Sequence, residues 1–253
     1  MRPILLTWSH DPKPLWIFNA QNEIQIVTTK LKKLILLTLI LKTTFGLAQE
    51  AYKFDYAIET EVTYFKEDSI KKKVLYLTNS KNNSYFAQIT SNDSLHYKLI
   101  FRHHDKLYSK VLVSKSQLNI AEFININCES ILYEKNKNKR AVERYDFFLL
   151  KDTIVKDISH KAYEFKSILN LKKRIRKGAV TSLFIIDNTT SFHLPLLTHP
   201  TAYEDWKLNS KLPNGLFIEK KHIDVYNIEH SSEKLIAYTQ IDKSIIITGG
   251  CDD

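Results

Sequence analysis

The chain has 253 residues, of which 43% are hydrophobic and 26% are charged, with a formal net charge of +9. Its length is sufficient for one domain with a sizeable core. The positive charge supports solubility and weak attraction to polyanions, but a charge of this size does not by itself indicate nucleic-acid binding.

The most hydrophobic run, "LKKLILLTLILKTTFGLAQE" at residues 31–50, has the three-part order of a secretory signal. A basic stretch at 30–33 precedes eight nearly all-apolar residues, and a more polar part ends in Gly-Leu-Ala. A membrane-spanning helix needs about 20 apolar residues, whereas Lys42 interrupts this run. We therefore predict a signal peptide over residues 30–48, cleaved after Ala48. A buried amphipathic helix is the alternative.

Residues 1–29 precede this signal and have mixed charge and no sustained periodicity. We interpret them as a non-structural extension, or as upstream sequence included through a mis-assigned start. Met1 is the single methionine, so an internal start would need another codon, and Leu31 is suitably placed for one. An ordered extension is the alternative. Residues 49–253 are then predicted to form a single β-rich domain of a periplasmic or secreted protein, with no transmembrane segment.

Two cysteines, Cys128 and Cys251, lie in the predicted mature chain. Export leads to a compartment that permits disulfides, so a bridge could tie the C-terminal tail to the middle of the chain. Two unpaired thiols are the alternative. The wide spacing and the lack of a CxxC motif argue against a structural zinc site and a thioredoxin-like redox centre. We predict neither a metal nor a cofactor.

Strand patterns dominate residues 49–253. The segment "YKFDYAIETEVTYF" alternates, which predicts a half-buried strand. The residues predicted on its apolar face are Tyr52, Phe54, Tyr56, Ile58, Val62 and Tyr64. The runs "KKVLYLTNS", "SYFAQIT", "LHYKLIFR" and "LYSKVLVS" follow, separated by polar turns, and predict an antiparallel meander.

Later runs continue the strand pattern, with "YDFFLLKD" and "KAYEFKSIL" as a possible hairpin and "KLIAYTQI" and "SIIIT" as the last two strands. Helical candidates are "SQLNIAEFI" and "TAYEDWKLN" at 201–209, where Thr201 and Glu204 have the spacing of a capping box. The predicted fold class is mainly β: an antiparallel meander forming a curved sheet or incomplete barrel with one or two short helices.

Sequence motifs of the common enzyme classes are absent, since GxSxG, HExxH, GxGxxG and GxxxxGK[ST] do not occur. We interpret "RHHDK", with His103 and His104, as a solvated turn. His199, near Glu204 and Asp205, is attributed to helix capping and surface charge. We therefore predict no catalytic residues and expect a non-enzymatic protein.

Two basic clusters are prominent, at residues 134–144 and 171–180. The second predicts a loop between strands that is solvated or contacts polyanions such as lipid head groups. Its candidate polyanion contacts are Lys172, Lys173, Arg174, Arg176 and Lys177. Aromatic residues that would stack on bases are not interleaved with these cations, so nucleic acid is not expected as a partner.

The segments "YAIETEVTY", "SLFIIDNTTSFHLP" and "KLPNGLFIEKKHID", together with the signal ending in "LAQ", resemble the GLPGLI-type secreted proteins. Leu212, Pro213, Gly215 and Leu216 keep the outline of that motif, whereas Lys211 replaces its leading glycine and Asn214 is inserted. More distantly, the layout over residues 50–248 resembles the LolA/LolB lipoprotein carriers. This resemblance implies an incomplete antiparallel barrel in a Gram-negative envelope, whose concave face in the carriers holds acyl chains, and it transfers no catalytic residue.

Two functions remain open from the sequence. The first is an exported, non-enzymatic binding protein whose apolar concave face receives a lipid-like or hydrophobic ligand, with a cavity expected beneath the 201–209 helix. The alternative is an envelope interaction protein that uses its basic loops on polyanions, with a filled core. The many aromatic residues fit either function, because they also pack ordinary cores. The expected partner is accordingly a lipid or another envelope component.

Overall fold

The computed structural model describes residues 31–33, 50–65, 69–136, 138–249 and 251. Residues Glu50–Asp253 form one compact unit. The predicted extension and signal peptide lie outside the described residues, apart from 31–33. Within the described part of the chain, no helix is long and apolar enough to cross a membrane.

Strands make up most of the unit that begins at Glu50. They are β1 Ala51–Tyr64, β2 Ile70–Asn79, β3 Asn82–Ser91, β4 His96–His103, β5 Leu107–Ser114, β6 Phe123–Asn127, β7 Ile131–Tyr133, β8 Tyr145–Leu149, β9 Thr153–Val155, β10 Ile158–Ser167, β11 Thr181–Ile186, β12 Phe217–Ile223 and β13 Glu229–Thr248. The short helices are α1 Lys115–Ile120, α2 Leu171–Arg176 and α3 Pro200–Asn209.

These strands form one sheet in the order β7-β5-β4-β3-β2-β1-β13-β12-β11-β10-β8, with β6 added to β13 and β9 to β10. Neighbours along the main path pair in antiparallel fashion, whereas β6 runs parallel to β13. The predicted fold class is therefore confirmed. The meander β1–β5 and the β8–β10 hairpin also occur as predicted.

The last strand differs from the prediction, because "KLIAYTQI" and "SIIIT" belong to the single 20-residue strand β13. The residues between them, Asp242 and Lys243, do not form a turn. Instead the pairing with β1 shifts its register where Phe54 and Tyr56 face Lys243 and Gln240. A bulge accommodates the polar residues without ending the strand.

The same bulge divides the apolar residues of β1 between the two faces of the sheet. Tyr52 and Phe54 belong to a buried cluster with Leu77, whereas Ile58 and Val62 belong to a second cluster that includes Tyr76. The prediction of a single apolar face was therefore wrong, because an irregular pairing changes which side chains share a face.

We call the first of these faces the half-barrel face. Its buried cluster combines residues of β1–β5 with Leu118 of α1, Ile124 and Ile126 of β6, and Ile245 and Ile247 of β13. Strands β5 and β6 lie at opposite ends of this part of the sheet. Their side chains can share one core only because this part of the sheet curves. The segment Cys128–Ser130 joins β6 to β7 and closes one end of this half-barrel.

We call the other face the covered face, because the connection between β11 and β12 lies over it. Leu197, Ala202 and Tyr203 from this connection pack with Phe165 and Phe184 of the sheet. The loop that resembles the GLPGLI motif anchors the end of the connection, with Leu212 and Leu216 both 1% exposed.

Gly215 allows this loop to lie close to the sheet. Its φ is +143°, and an added Cβ would lie 2.6 Å from Ile186 Cγ2 and 2.9 Å from the Asp187 carbonyl oxygen. A side chain at this position would therefore be strained and would clash. The glycine is needed for backbone contact within the fold.

Candidate ligand-binding groove

The half-barrel is packed tightly at its closed end. Tyr52, Phe54, Tyr85 and Phe101 are buried there, and the Tyr52 and Phe101 rings meet edge to face with centroids 4.7 Å apart. Aromatic residues at alternating strand positions place these rings on one face. This end of the interior is filled by the protein's own side chains.

The opposite end, where β1, β3 and β5 finish, contains a groove of about 380 Å³. Its lining residues are Glu59, Lys73, Val74, Leu75, Ile89, Ser91, Tyr97 and Lys115. Leu75 and Tyr97 are partly buried against the half-barrel core, and Ile89 belongs to it. The floor of the groove is therefore an outward continuation of the apolar core.

A second groove of about 310 Å³ lies beside the first. It is lined by Val113, Gln117, Leu118, Ala121, Phe123, Ile124 and Asn125, and so runs between the end of β5, α1 and β6. Tyr97 of the first groove pairs directly with Val113 of the second, on neighbouring strands. Both volumes fall in the range of small-molecule pockets, about 300–1,000 Å³.

Two lysines are placed at the edge of the first groove. The Lys115 ammonium lies 5.1 Å from the centre of the Tyr97 ring and donates to Ser91 Oγ at 3.2 Å. Lys73 Nζ donates to Glu59 Oε1 at 2.9 Å, and this bond and the glutamate charge raise the pKa of Lys73. Lys73 is therefore charged at neutral pH, and it lies next to an apolar floor.

Helix α1 is held at the edge of the second groove by Lys243 of β13. The Lys243 ammonium donates to the carbonyl oxygens of Leu118 at 2.9 Å and Ala121 at 2.5 Å, at the C-terminal end of α1. A cation is favourable there because the last carbonyls of a helix are unpaired and carry partial negative charge. The predicted helix "SQLNIAEFI" is thus shorter than expected, and its last residues join β6.

The described residues leave much less space on the covered face. Beneath α3, Ala202 and Tyr203 are 1% and 4% exposed and pack on buried aromatic rings, so the cavity expected under this helix is filled. Nearby, a cavity of about 20 Å³ is lined by Ile58, Leu216 and other residues of this core. Such a volume is enough for about one water molecule.

A buried ion pair borders this small cavity. Lys220 and Glu233 form a salt bridge with side chains 8% and 11% exposed, and Thr60 Oγ1 donates to Glu233 Oε1 at 2.9 Å. Burial alone would raise the pKa of Glu233. The neighbouring Lys220 charge and hydrogen bonds from Lys220, Tyr76 and Thr60 more than offset burial and keep the pKa below its usual value.

The histidine pair of "RHHDK" is not the solvated turn that the sequence suggested. His104 is 5% exposed and stacks on Tyr203 of α3 with ring centres 4.2 Å apart. Burial, with a smaller contribution from Arg102, lowers the pKa of His104 to about 3. His103 lies beside Tyr52, whose hydroxyl is 3.2 Å from Nδ1. Both rings therefore serve packing at this turn.

The capping box proposed for α3 is also absent. His199 occupies the N-cap position without a side-chain cap, and Pro200 begins the helix. Glu204 is 3% exposed and accepts a hydrogen bond from Asn136 Nδ2 at 2.7 Å. Glu204 therefore contacts the segment before β8 and does not cap the helix as predicted.

The basic cluster lies in the β10–β11 connection, as expected for a link between two strands, but it forms helix α2. Asn170 caps this helix by accepting from the Lys173 amide at 3.0 Å. Its candidate contacts Lys172, Lys173, Arg174, Arg176 and Lys177 are exposed, except for the half-buried Arg174. None of them lines either groove.

Cys128 and Cys251 are paired as a disulfide, with their Cα atoms 5.4 Å apart. Cys128 opens the short turn at the closed end of the half-barrel, and the bridge joins it to the tail that follows β13. The bridge therefore links the residue that follows β6 to the tail beyond β13, and the two cysteines are 123 positions apart in the sequence.

No protein-family model matches this chain, and no curated protein matches it. Several solved structures are similar to this chain at low identity. A putative outer membrane lipoprotein-sorting protein domain from Vibrio parahaemolyticus is 8% identical with a TM-score of 0.29, covering 74% of this chain and 85% of the other. A LolA superfamily protein from Nitrosomonas europaea is 10% identical with a TM-score of 0.29, covering 75% and 86%.

The Pseudomonas aeruginosa MucA/MucB complex gives a TM-score of 0.39 at 6% identity. The match covers 74% of this chain but only 51% of the other, so this chain spans about half of that protein. The distant LolA-like layout expected from the sequence is among these similarities, whereas the GLPGLI resemblance stays an expectation.

Proposed function

We propose that this protein is a non-enzymatic binding protein for an amphipathic, anionic, lipid-like ligand held at the open end of the half-barrel. The observation that carries the proposal is the pair of adjoining grooves, about 380 and 310 Å³, with an apolar floor and lysines at the edge. An acyl chain would lie against Leu75, Ile89 and Val113, while Lys73 and Lys115 would face the anionic head.

The apolar floor and the charged edge have separate roles in this proposal. Burial of apolar ligand surface supplies most of the affinity, about 25 cal/mol per Å². The lysines orient the ligand and favour an acidic head group over a neutral one, because charged groups at a site edge contribute mainly specificity. The proposed site differs from the sequence-based expectation in two ways. It lies on the half-barrel face rather than beneath α3, and its cations are Lys73 and Lys115 rather than those of residues 172–177.

Binding of a fluorescent fatty acid to the purified protein tests the proposal. We expect Lys115→Glu to weaken binding of the fatty acid strongly and binding of its neutral methyl ester only slightly. Lys110→Glu is the matched control, because Lys110 is an exposed residue of β5 outside both grooves. Val113→Trp should weaken binding of both ligands by filling the space between the grooves.

Two results would contradict this proposal: absence of fatty-acid binding at any salt concentration, or equal loss of binding in Lys110→Glu and Lys115→Glu. Thermal unfolding of each variant shows whether the fold has been kept. A loss of binding in Val113→Trp counts only if its melting temperature stays close to that of the unchanged protein.

We also propose that the protein is exported to the periplasm or beyond. The tripartite pattern at residues 30–48 and the pairing of Cys128 with Cys251 support this location, because disulfides persist in oxidising compartments. The intact mass of the protein isolated from its host should correspond to a chain beginning at Gln49 with both thiols oxidised. A chain that keeps Met1, or that alkylates at both cysteines without reduction, would contradict export.

A further inference from the structure

One end of the sheet exposes apolar side chains on three neighbouring hairpins. The connections β1–β2, β12–β13 and β10–β11 lie at the same end, because β2, β1, β13, β12, β11 and β10 are successive antiparallel neighbours. Adjacent strands are about 4.8 Å apart, so these connections follow one another along the edge. We call this edge the loop rim.

Helix α2 contributes most to the loop rim. Leu171 and Ile175 are one turn apart, so they lie on one side of the helix, and they are 58% and 42% exposed. Ile168 and Val180 are exposed at the two ends of the same connection. The cations of this loop were predicted from the sequence, whereas the apolar stripe among them was not.

The neighbouring hairpins add apolar side chains. Tyr226 and Ile228, in the β12–β13 connection, are 65% and 58% exposed. The carboxylate in this hairpin is already engaged, because Asp224 Oδ1 accepts from the amides of Tyr226 and Ile228 at 2.8 and 2.9 Å. Phe65, which follows β1, is exposed as well.

Cations of α2 add positive charge to the loop rim. Within the part of the chain that the structure describes, no carboxylate forms a salt bridge with Lys172, Lys173, Arg174, Arg176 or Lys177. Glu229, by contrast, already pairs with Lys221 at 3.4 Å. The loop rim therefore combines cations that no described carboxylate pairs with and exposed aliphatic and aromatic groups.

We propose that the loop rim docks on the surface of an anionic lipid bilayer, with Leu171 and Ile175 entering the interface and the α2 cations contacting lipid phosphates. Charge complementarity favours an anionic partner. The apolar stripe favours a bilayer over a soluble polyanion, because only a bilayer offers an apolar layer beneath its charged surface. This surface is separate from the grooves and does not depend on them.

Flotation with lipid vesicles tests this proposal on the protein as isolated from its host. We expect binding to vesicles of phosphatidylcholine mixed with phosphatidylglycerol, and little binding to phosphatidylcholine alone. Lys172→Glu combined with Lys173→Glu should weaken binding at least 25-fold, since each cation near an anionic surface contributes about fivefold. The loss should shrink as salt rises above about 0.1 M, where exposed charges are screened.

Matched variants at the opposite end of the sheet serve as controls. The double variant Lys151→Glu with Lys156→Glu makes the same charge change next to β9. Its vesicle binding should stay within about twofold of that of the unchanged protein, because salt screens charges that lie more than about 10 Å from the membrane surface. Leu171→Ser with Ile175→Ser should weaken binding even at high salt, whereas Leu149→Ser with Ile154→Ser should not. All these variants share the same N-terminus, so differences between them report on the loop rim.

Three results would overturn the proposal. The first is equal vesicle binding by the α2 variants and their controls. The second is vesicle binding that depends on the cations but is unchanged by Leu171→Ser with Ile175→Ser. The third is binding to a soluble anionic polysaccharide without binding to vesicles, which would assign the patch to a polyanion instead.

Discussion

The two faces of the sheet each carry a lysine–glutamate pair, and the pairs differ in their surroundings. On the covered face, Lys220 and Glu233 are 8% and 11% exposed and border a cavity of about 20 Å³. On the half-barrel face, Lys73 and Glu59 are 73% and 36% exposed and border a groove of about 380 Å³.

This difference follows from what lies over each face. The β11–β12 connection, with α3 and the loop around Gly215, lies over the covered face and shields the Lys220–Glu233 pair from bulk solvent. Among the residues that the structure describes, the half-barrel face has only α1 at its open end. The same type of ion pair is therefore a buried structural element on one face and a solvated edge on the other.

The largest expected effect comes from breaking the buried pair. Lys220→Met should lower the free energy of unfolding by about 3–5 kcal/mol at pH 7, because it leaves the Glu233 carboxylate buried without its cation. Chemical denaturation measures this loss. The double variant Lys220→Met with Glu233→Leu should recover most of it, since an apolar pair of similar volume needs no compensation.

Acid should reduce the difference in free energy of unfolding between Lys220→Met and the unchanged protein. Because the pKa of Glu233 is lowered in the folded state, its stabilisation is present above the usual glutamate pKa of about 4.3 and is lost as pH falls through the folded value. If the loss of unfolding free energy caused by Lys220→Met stayed constant from neutral pH down to pH of about 3, the account of this pair would be contradicted.

The smallest expected effect on stability comes from the matching change at the groove. Lys73→Met should leave the melting temperature unchanged, because exposed ion pairs contribute little, yet it should weaken fatty-acid binding. Lys72→Met is the control, since adjacent strand residues point to opposite faces. A drop in stability comparable to that of Lys220→Met would remove the contrast between the faces.

Strand positions were largely predictable from the sequence, because β2–β5 alternate clearly and are separated by polar turns. The distribution of residues between the two faces was not. The bulge between Phe54 and Tyr56 depends on how β1 pairs with β13, which lies about 180 residues later. The local alternation of apolar and polar residues does not indicate that pairing.

The groove was missed for a related reason. The run "LHYKLIFR" predicts a strand, but the opening beside Tyr97 exists because α1 ends early and β6 joins β13 instead of β5. His104 was misread because its turn is covered by Tyr203 from a segment about 100 residues away. In both cases tertiary contacts decided what local polarity and spacing left open.

The most direct test of the central claim is to locate a bound ligand by photocrosslinking. A fatty acid carrying a diazirine on its acyl chain, irradiated with the protein and mapped by mass spectrometry, should label residues around Leu75, Ile89, Tyr97 and Val113. An excess of unlabelled fatty acid should suppress this labelling. Labelling concentrated in residues 194–217, over the covered face, or unsuppressed labelling spread along the chain, would contradict a ligand groove at the open end of the half-barrel.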